Sequence, residues 1–258
     1  MGAHIHADTL TIPASADTFA YSTQPTNNFG SVNRLRAGPY ADDDTILAGT
    51  GAKRAFIKFD LSSLPSGAVI TNVAFQAFQT DMSQVSPGGF DVFAIGADWQ
   101  ENSLTWNNQP AAANFIGNMP TIKNSICALT NSAALTQPVK SWYTGASPAY
   151  GLAFRVTDEQ STANGDTFAS RESTNHPPPE LIIQFLARPH LYIRHSQPQQ
   201  VELSWPSATN QLYQLQYCAA VPANTWSNLG GQQVGNGSTN YVTDPVVDPR
   251  RFYRLRTP

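Results

Sequence analysis

The fold of this chain is decided by the stretch Arg54-Ala55-Phe56-Ile57-Lys58-Phe59-Asp60-Leu61. Its odd-numbered residues are all apolar, whereas Arg54, Lys58 and Asp60 occupy even-numbered positions. Because successive side chains of an extended strand point to opposite faces, the apolar set shares one face and the charged residues share the other. The pattern predicts a β-strand with one buried face, and it directs Arg54 and Lys58 away from the core.

Similar short alternations, separated by turn residues, recur along the chain. Short strands at this spacing are typical of an all-β sandwich or barrel. One further segment, 135–143, is compatible with either a helix or a strand. Up to residue 186 the other alternations predict strands at 17–21, 69–79, 90–95, 150–156, 167–172 and 180–186.

Near residues 186–189 the chain changes character, and we place a domain boundary there. Residues 8–187 form the first predicted domain, and residues 188–258 form a second, smaller β-domain. The arginines between residues 250 and 256 are interpreted as an exposed strand edge, where positive charge discourages pairing with another chain. Residues 1–7 are predicted to be a disordered start. Strands of the second domain are expected at 191–195, 201–205, 212–217, 240–242 and 252–256.

The composition narrows the class of protein. Only 13% of residues are charged, while 17 Gly and 19 Pro supply turns. The net charge of −3 argues against a nucleic-acid partner, which would require a strongly basic face. No apolar run is long enough to span a bilayer, so no membrane insertion is expected. We expect a monomer in which Cys127 and Cys218 are buried and unpaired, since they fall in different predicted domains.

Several motifs follow one another in residues 8–186, and their order resembles that of a DNRLRE-type domain, a carbohydrate-binding module of the alginate-binding kind. The middle motif runs from Trp99 through Glu101 to Trp106 and resembles the W-x-E-x-x-x-T-W pattern of that family. The others are Asp17-Thr18-Phe19, Asn28-Phe29-Gly30, the strand 54–61 with Ser62-Ser63-Leu64-Pro65, Phe168-Ala169-Ser170-Arg171-Glu172-Ser173, and Pro178-Pro179-Glu180-Leu181.

The resemblance implies a jelly-roll β-sandwich in secreted bacterial proteins, often attached to polysaccharide-degrading enzymes. It therefore implies a secreted, extracellular or cell-surface location, with a signal peptide that has been removed. Residues 201–206 and 251–255 resemble, more loosely, the C-terminal β-domains of such proteins. We accordingly expect a second β-sandwich, of a fibronectin type III-like kind.

An alginate-like polymer carries a carboxylate on every sugar, so its binder needs cations spaced along one face. A guanidinium holds a carboxylate through two hydrogen bonds. The candidate ligand-binding cations, if they share a sheet face, are Arg54, Lys58, Arg155 and Arg171. The alternative is that these cations form surface ion pairs of little energetic value, with Asp60, Asp158 or Glu172 as partners.

Aromatic side chains offer apolar surfaces on which sugar rings stack. Trp142 is the aromatic candidate for the ligand site. Trp99 and Trp106 could serve in the same way, but their position inside the motif favours packing at a corner of the fold.

Sandwich modules often hold a structural calcium through carboxylate and carbonyl oxygens. Asp42 and Asp44 are the candidate ligands, although three consecutive acidic residues cannot all point at one ion and a solvated loop is the alternative. No other cofactor is expected. Further carboxylates without a diagnostic spacing are Asp17, Asp158, Glu159 and Asp166.

The sequence contains no nucleophile elbow, zinc-binding helix or phosphate loop. We therefore predict non-catalytic binding of an extracellular, anionic polysaccharide, which tethers a secreted protein to it. Two alternatives stay open: a lyase or glycoside hydrolase that uses the same face, and a structural or adhesive sandwich of the cell surface.

Overall fold

The computed structural model describes residues 8–39, 51–80, 88–130, 132–160, 165–186, 190–207, 209–222, 225–245 and 250–256. The predicted start, residues 1–7, and the predicted calcium ligands Asp42 and Asp44 lie outside these residues. The chain forms two compact units, one made of residues 9–65 and 70–185, the other mainly of residues 186–258.

The described residues of the first unit form ten strands and one helix. The strands are β1 (Asp8–Tyr21), β2 (Arg34–Ala37), β3 (Lys53–Phe59), β4 (Val69–Phe78), β5 (Phe90–Ile95), β6 (Ala112–Met119), β7 (Ile126–Leu129), β8 (Leu152–Val156), β9 (Asp166–Ala169) and β10 (Glu180–Leu186). The helix is α1 (Ala133–Thr144). Among the described residues, no helix has the length and apolarity needed to cross a membrane.

The strands follow the order β6-β5-β8-β3-β1-β10-β4-β7, and β2 pairs separately with β9. β1 has 14 residues and lies between β3 and β10, so it joins the two halves of the curled sheet. Aromatic rings fill the space between the halves: Phe75 of β4 lies 6.3 Å from Phe59 of β3 and 6.1 Å from Phe154 of β8, measured between ring centroids. The predicted all-β sandwich is confirmed.

Several predicted element bounds need correction. β1 begins at Asp8 and not at residue 17, because small Ala residues and Pro13 obscure the alternation of its first half. The predicted strand 167–172 ends at Ala169, since the backbone N–H of Arg171 donates to Asp17 Oδ2 at 2.8 Å and leaves the sheet ladder. β2, β6 and β7 were not predicted.

The ambiguous segment 135–143 lies within a helix. Ser132 caps its N-terminus by accepting the backbone N–H of Leu135 at 3.1 Å, which satisfies one of the unpaired donors of the first turn. Gly145 ends it in the left-handed region at φ 72°.

The second unit carries two small sheets. Its strands are β11 (Tyr192–Gln197), β12 (Gln200–Pro206), β13 (Leu212–Cys218), β14 (Ser227–Asn228), β15 (Gln233–Val234), β16 (Thr239–Pro245) and β17 (Phe252–Arg256). One sheet has the order β11-β12-β16, and the other groups β14, β15 and β17 around β13. Leu203 and Trp205 from β12 pack with Tyr213 and Leu215 from β13, so both sheets share one core. Both cysteines are buried and free, as predicted.

Among the described strands β17 pairs with β13 alone and so lies at a sheet edge, where Arg250 and Arg256 are exposed as predicted, whereas Arg251 and Arg254 have partners. Arg251 pairs with Asp244 at 2.6 Å, with side chains only 9% and 3% exposed. Tyr253 donates its hydroxyl to the same carboxylate at 2.7 Å, and Arg254 stands over the Trp226 ring at 4.3 Å. Burial and the hydrogen bond to Asp244 raise the pKa of Tyr253.

Replacing one member of this buried pair should destabilise the second unit. We expect Arg251→Met to lower the free energy of unfolding by about 3 kcal/mol, because it leaves the Asp244 carboxylate buried without its cation. The measurement is urea denaturation followed by tryptophan fluorescence, to which the buried Trp205 contributes.

The matched control is Arg194→Met. Arg194 also holds a carboxylate at 2.7 Å, that of Glu202, but its side chain is 70% exposed. An exposed pair contributes little, so the control should change stability by less than about 1 kcal/mol. Equal losses in the two variants would contradict the assignment.

Candidate functional site

The outer face of β3 is covered by the segment 98–109, which carries the tryptophan motif. Phe56, on the same face as Arg54 and Lys58, is only 1% exposed and packs with Trp99, Leu104 and Ala153. Trp99 meets Phe56 edge-on at 6.1 Å and donates its indole N–H to the Tyr150 carbonyl at 2.9 Å. Trp99 is thus a packing residue, as its place in the motif predicted.

The motif Asn28-Phe29-Gly30 fixes this segment in place. The Asn28 amide donates to the carbonyls of Glu101 at 2.7 Å and Leu104 at 2.8 Å. Phe29 stacks on Phe19 of β1, with ring centroids 4.4 Å apart and planes 9° from parallel. A side chain at Gly30 would collide with the Glu101 carbonyl, so only glycine admits this approach.

Three of the four predicted cations stand over aromatic rings on this face. Arg54 lies 4.6 Å from the centroid of Trp106, and Lys58 lies 5.0 Å from that of Trp99. Arg155 of β8 lies 5.0 Å from the Phe93 centroid on β5. A cation is attracted to the negative face of an aromatic ring, so each ring fixes the position of its cation.

The same cations have carboxylate partners, but not Asp60 or Asp158 as predicted. Arg54 forms two hydrogen bonds to Glu159, both 2.7 Å long. Lys58 Nζ lies 2.6 Å from Asp98 and also donates to the Trp99 carbonyl. Its hydrogen bond to Asp98, with a second from the Trp99 backbone, lowers the pKa of that carboxyl.

Of these three cations, Arg155 makes the fewest polar contacts. Its carboxylate contact, with Glu159, is 3.7 Å long, and no hydrogen bond of its side chain is found among the described residues. Its side chain is 35% exposed. Arg155 therefore keeps donors that a ligand can use.

A row of half-buried side chains crosses the sheet at this point and ends at an exposed aromatic ring. Phe93 pairs in register with Phe115 on the edge strand β6, and their rings lie 5.6 Å apart. Phe115 is 58% exposed. We call the row Trp106, Arg54, Arg155, Phe93 and Phe115 the basic–aromatic strip. It spans β3, β8, β5 and β6, about 14 Å at the usual spacing between strands.

Next to Lys58, the segment 98–109 encloses a polar depression of about 240 Å³. Its lining residues carry carboxylate, amide and hydroxyl groups, which suit the hydroxyls of a sugar. The lining residues are Asp98, Trp99, Gln100, Ser103, Leu104 and Asn108.

The remaining sequence candidates do not belong to the strip. Arg171 pairs with Glu172 at 2.7 Å, as its alternative interpretation predicted, and also with Glu101 at 3.3 Å. Its Nη1 donates to the Ser15 carbonyl, which a bulge in β1 exposes. Trp142 lies on α1, half-buried, and takes part in none of the ring contacts found among the described residues.

Asp17 lies beside Arg171, and its carboxylate forms a group with those of Glu101 and Glu172. Burial, followed by repulsion from Glu172 and Glu101, raises the pKa of Asp17 to about 8.

Two residues of the strip, Phe93 and Phe115, were not predicted from the sequence. Phe93 occupies an outward position of the predicted strand 90–95, so its alternation with Val92 was a usable signal. Phe115 had none, because it follows Ala112, Ala113 and Asn114 in a strand without apolar alternation.

A β-sandwich that presents cations and aromatic rings on one sheet face, beside a polar depression, has the architecture of a carbohydrate-binding module. The chain belongs to carbohydrate-binding module family 96, whose family model matches residues 8–185. No curated protein matches the chain.

The attachment of the 98–109 segment can be tested at Asn28. We expect Asn28→Ala to lower the free energy of unfolding by about 1 to 2 kcal/mol, because two hydrogen bonds to the segment are lost. Urea denaturation measures the loss.

The neighbouring variant Asn27→Ala is the control. Asn27 is exposed, and its amide bonds only the Gln24 side chain, so its loss should cost less than about 0.5 kcal/mol. If Asn28→Ala were equally harmless, Asn28 would not hold the segment.

Proposed function

We propose that residues 8–185 bind an extracellular, anionic polysaccharide of the alginate type without changing it chemically, and so tether the protein that carries them. The observation that supports this best is the half-exposed guanidinium of Arg155, which stands over Phe93, whose ring in turn lies 5.6 Å from the exposed ring of Phe115. Each sugar of such a polymer offers an apolar ring face and a carboxylate. Stacking on Phe115 would bring a sugar carboxylate towards Arg155.

The strip suits a polymer better than a single sugar. Arg54, Arg155, Phe93 and Phe115 lie on four neighbouring strands and not around one cavity, with the Trp106 ring under Arg54. Arg54 and Arg155 both contact Glu159, so two cations lie close enough to address neighbouring sugars. Lys58 adds a third cation at the polar depression.

Carboxylates of the protein already hold these cations, and this does not prevent exchange. A sugar carboxylate can replace the 3.7 Å contact between Arg155 and Glu159 with direct hydrogen bonds of better geometry. Such charge-assisted contacts give specificity and salt dependence more than raw affinity.

The test measures binding of the purified protein to alginate and to a neutral β-glucan by titration calorimetry, at low and high salt. We expect Arg155→Met to weaken alginate binding about tenfold and to reduce its salt dependence, because a charge-assisted hydrogen bond contributes about 1.5 to 3 kcal/mol. Phe115→Ala should weaken binding while leaving the salt dependence unchanged, since the ring carries no charge.

Arg194→Met is the control, because Arg194 lies in the second unit; binding should be unchanged. Equal binding of the neutral glucan would contradict the anionic ligand while leaving carbohydrate binding intact. New chain ends, or the ultraviolet absorption of an unsaturated sugar, would contradict the non-catalytic part of the proposal.

Replacing Glu159 should strengthen alginate binding, the opposite of the effect expected for Arg155→Met. Glu159→Gln removes the carboxylate that competes with the ligand for Arg54 and Arg155. We expect alginate binding to become several-fold tighter, by the same calorimetric measurement. Weaker binding of a variant with unchanged thermal stability would show that Glu159 helps the ligand and does not compete with it.

A further inference from the structure

Three carboxylates that are distant in the sequence meet beside the sheet. Asp17 comes from β1, Glu101 from the segment 98–109, and Glu172 from the turn after β9. One oxygen of each lies within 4.8 Å of the others. Two oxygens across a calcium ion are separated by about 4.8 Å, twice the usual bond length, so one ion can reach all three residues.

Two oxygens of this group are buried and have no partner among the described residues. The Asp17 side chain is only 1% exposed, and while its Oδ2 accepts the Arg171 N–H, its Oδ1 accepts no hydrogen bond from any described residue. Oε2 of Glu172 is likewise buried and, in the described part of the chain, unpaired. A buried carboxylate oxygen that has lost water without gaining a partner is costly, so these atoms point to a ligand.

The charge of the group indicates what kind of ligand it takes. Arg171 contacts Glu101 and Glu172 and is the cation of this group. With all three carboxylates deprotonated, as metal ligands must be, the group and its one guanidinium carry two negative charges, which one divalent cation neutralises.

We propose that Asp17, Glu101 and Glu172 bind a calcium ion. The donor set contains only carboxylate oxygens, which calcium prefers, and contains none of the His or Cys ligands that zinc selects. Backbone carbonyls and water complete the six to eight oxygens that calcium requires. The ion joins β1, the segment 98–109 and the turn that carries Arg171.

The test uses the full chain, freed of metal with a chelator and dialysed. Calcium chloride and magnesium chloride are titrated separately by calorimetry, and thermal unfolding is followed with and without each ion. We expect saturable heat with calcium and a rise in the unfolding temperature of about 5 °C at a hundredfold excess over the dissociation constant. No glycan is present, so this result does not depend on the proposed function.

Variants then assign the site. Glu172→Gln and Asp17→Asn should abolish both the heat and the calcium-dependent shift. Asp158→Asn is the control, since Asp158 is an exposed carboxylate outside the group, and it should respond to calcium as the wild type does.

The wild-type titration decides the proposal even if a variant fails to fold. Absence of heat and of any shift at millimolar calcium would overturn it. A shift that persists in Glu172→Gln would also overturn it, because the ion would then bind elsewhere. If Asp17→Asn stabilises the chelated protein while calcium does nothing, the group shares a proton and holds no ion.

Discussion

The positions of Arg54 and Lys58 and the polar depression depend on one interaction, the packing of the 98–109 segment on the outer face of β3. Backbone and side chain cooperate there: the Asp17 N–H donates to Glu101 Oε1 at 2.7 Å, and Asn28 holds two carbonyls of the segment. The seated segment buries Phe56 and Trp99, at about 2 kcal/mol for each ring. It also supplies the rings over which Arg54 and Lys58 stand, so without it the cations would lose their fixed positions.

This interaction explains which features of the fold and the site could be predicted from the sequence and which could not. The period of two predicted β3, β5, β10 and β17 closely, because alternation is a local property. It also placed Arg54 and Lys58 away from the sandwich core. The alternation could not show that the outer face of β3 is also covered, because the residues that cover it are remote in the sequence. A second layer packs on this face, and both cations, which we expected to be exposed, pair with specific carboxylates.

The partners of the cations could not be derived for the same reason. Asp60 lies close to Lys58 in the sequence, yet it turns to accept the backbone N–H of Ser62 at 2.9 Å. The carboxylates that do hold the cations, Glu159 and Asp98, reach them through strand pairing and a loop. The motifs were nevertheless informative, because Asn28, Glu101 and Arg171 belong to three of them and meet at one junction.

If both proposed ligands bind, that junction would couple them. Glu101 belongs to the carboxylate group, while Trp99, two residues earlier, lines the polar depression and lies beneath Lys58. An ion on Glu101 would restrain the segment, and this restraint would reduce the conformational entropy that a bound glycan has to remove. Because linkage is reciprocal, a glycan that orders the segment would then raise the affinity for the ion by the same factor. The strip residues Phe93 and Phe115 lie on sheet strands outside the segment, and their share of the binding energy is independent of the ion.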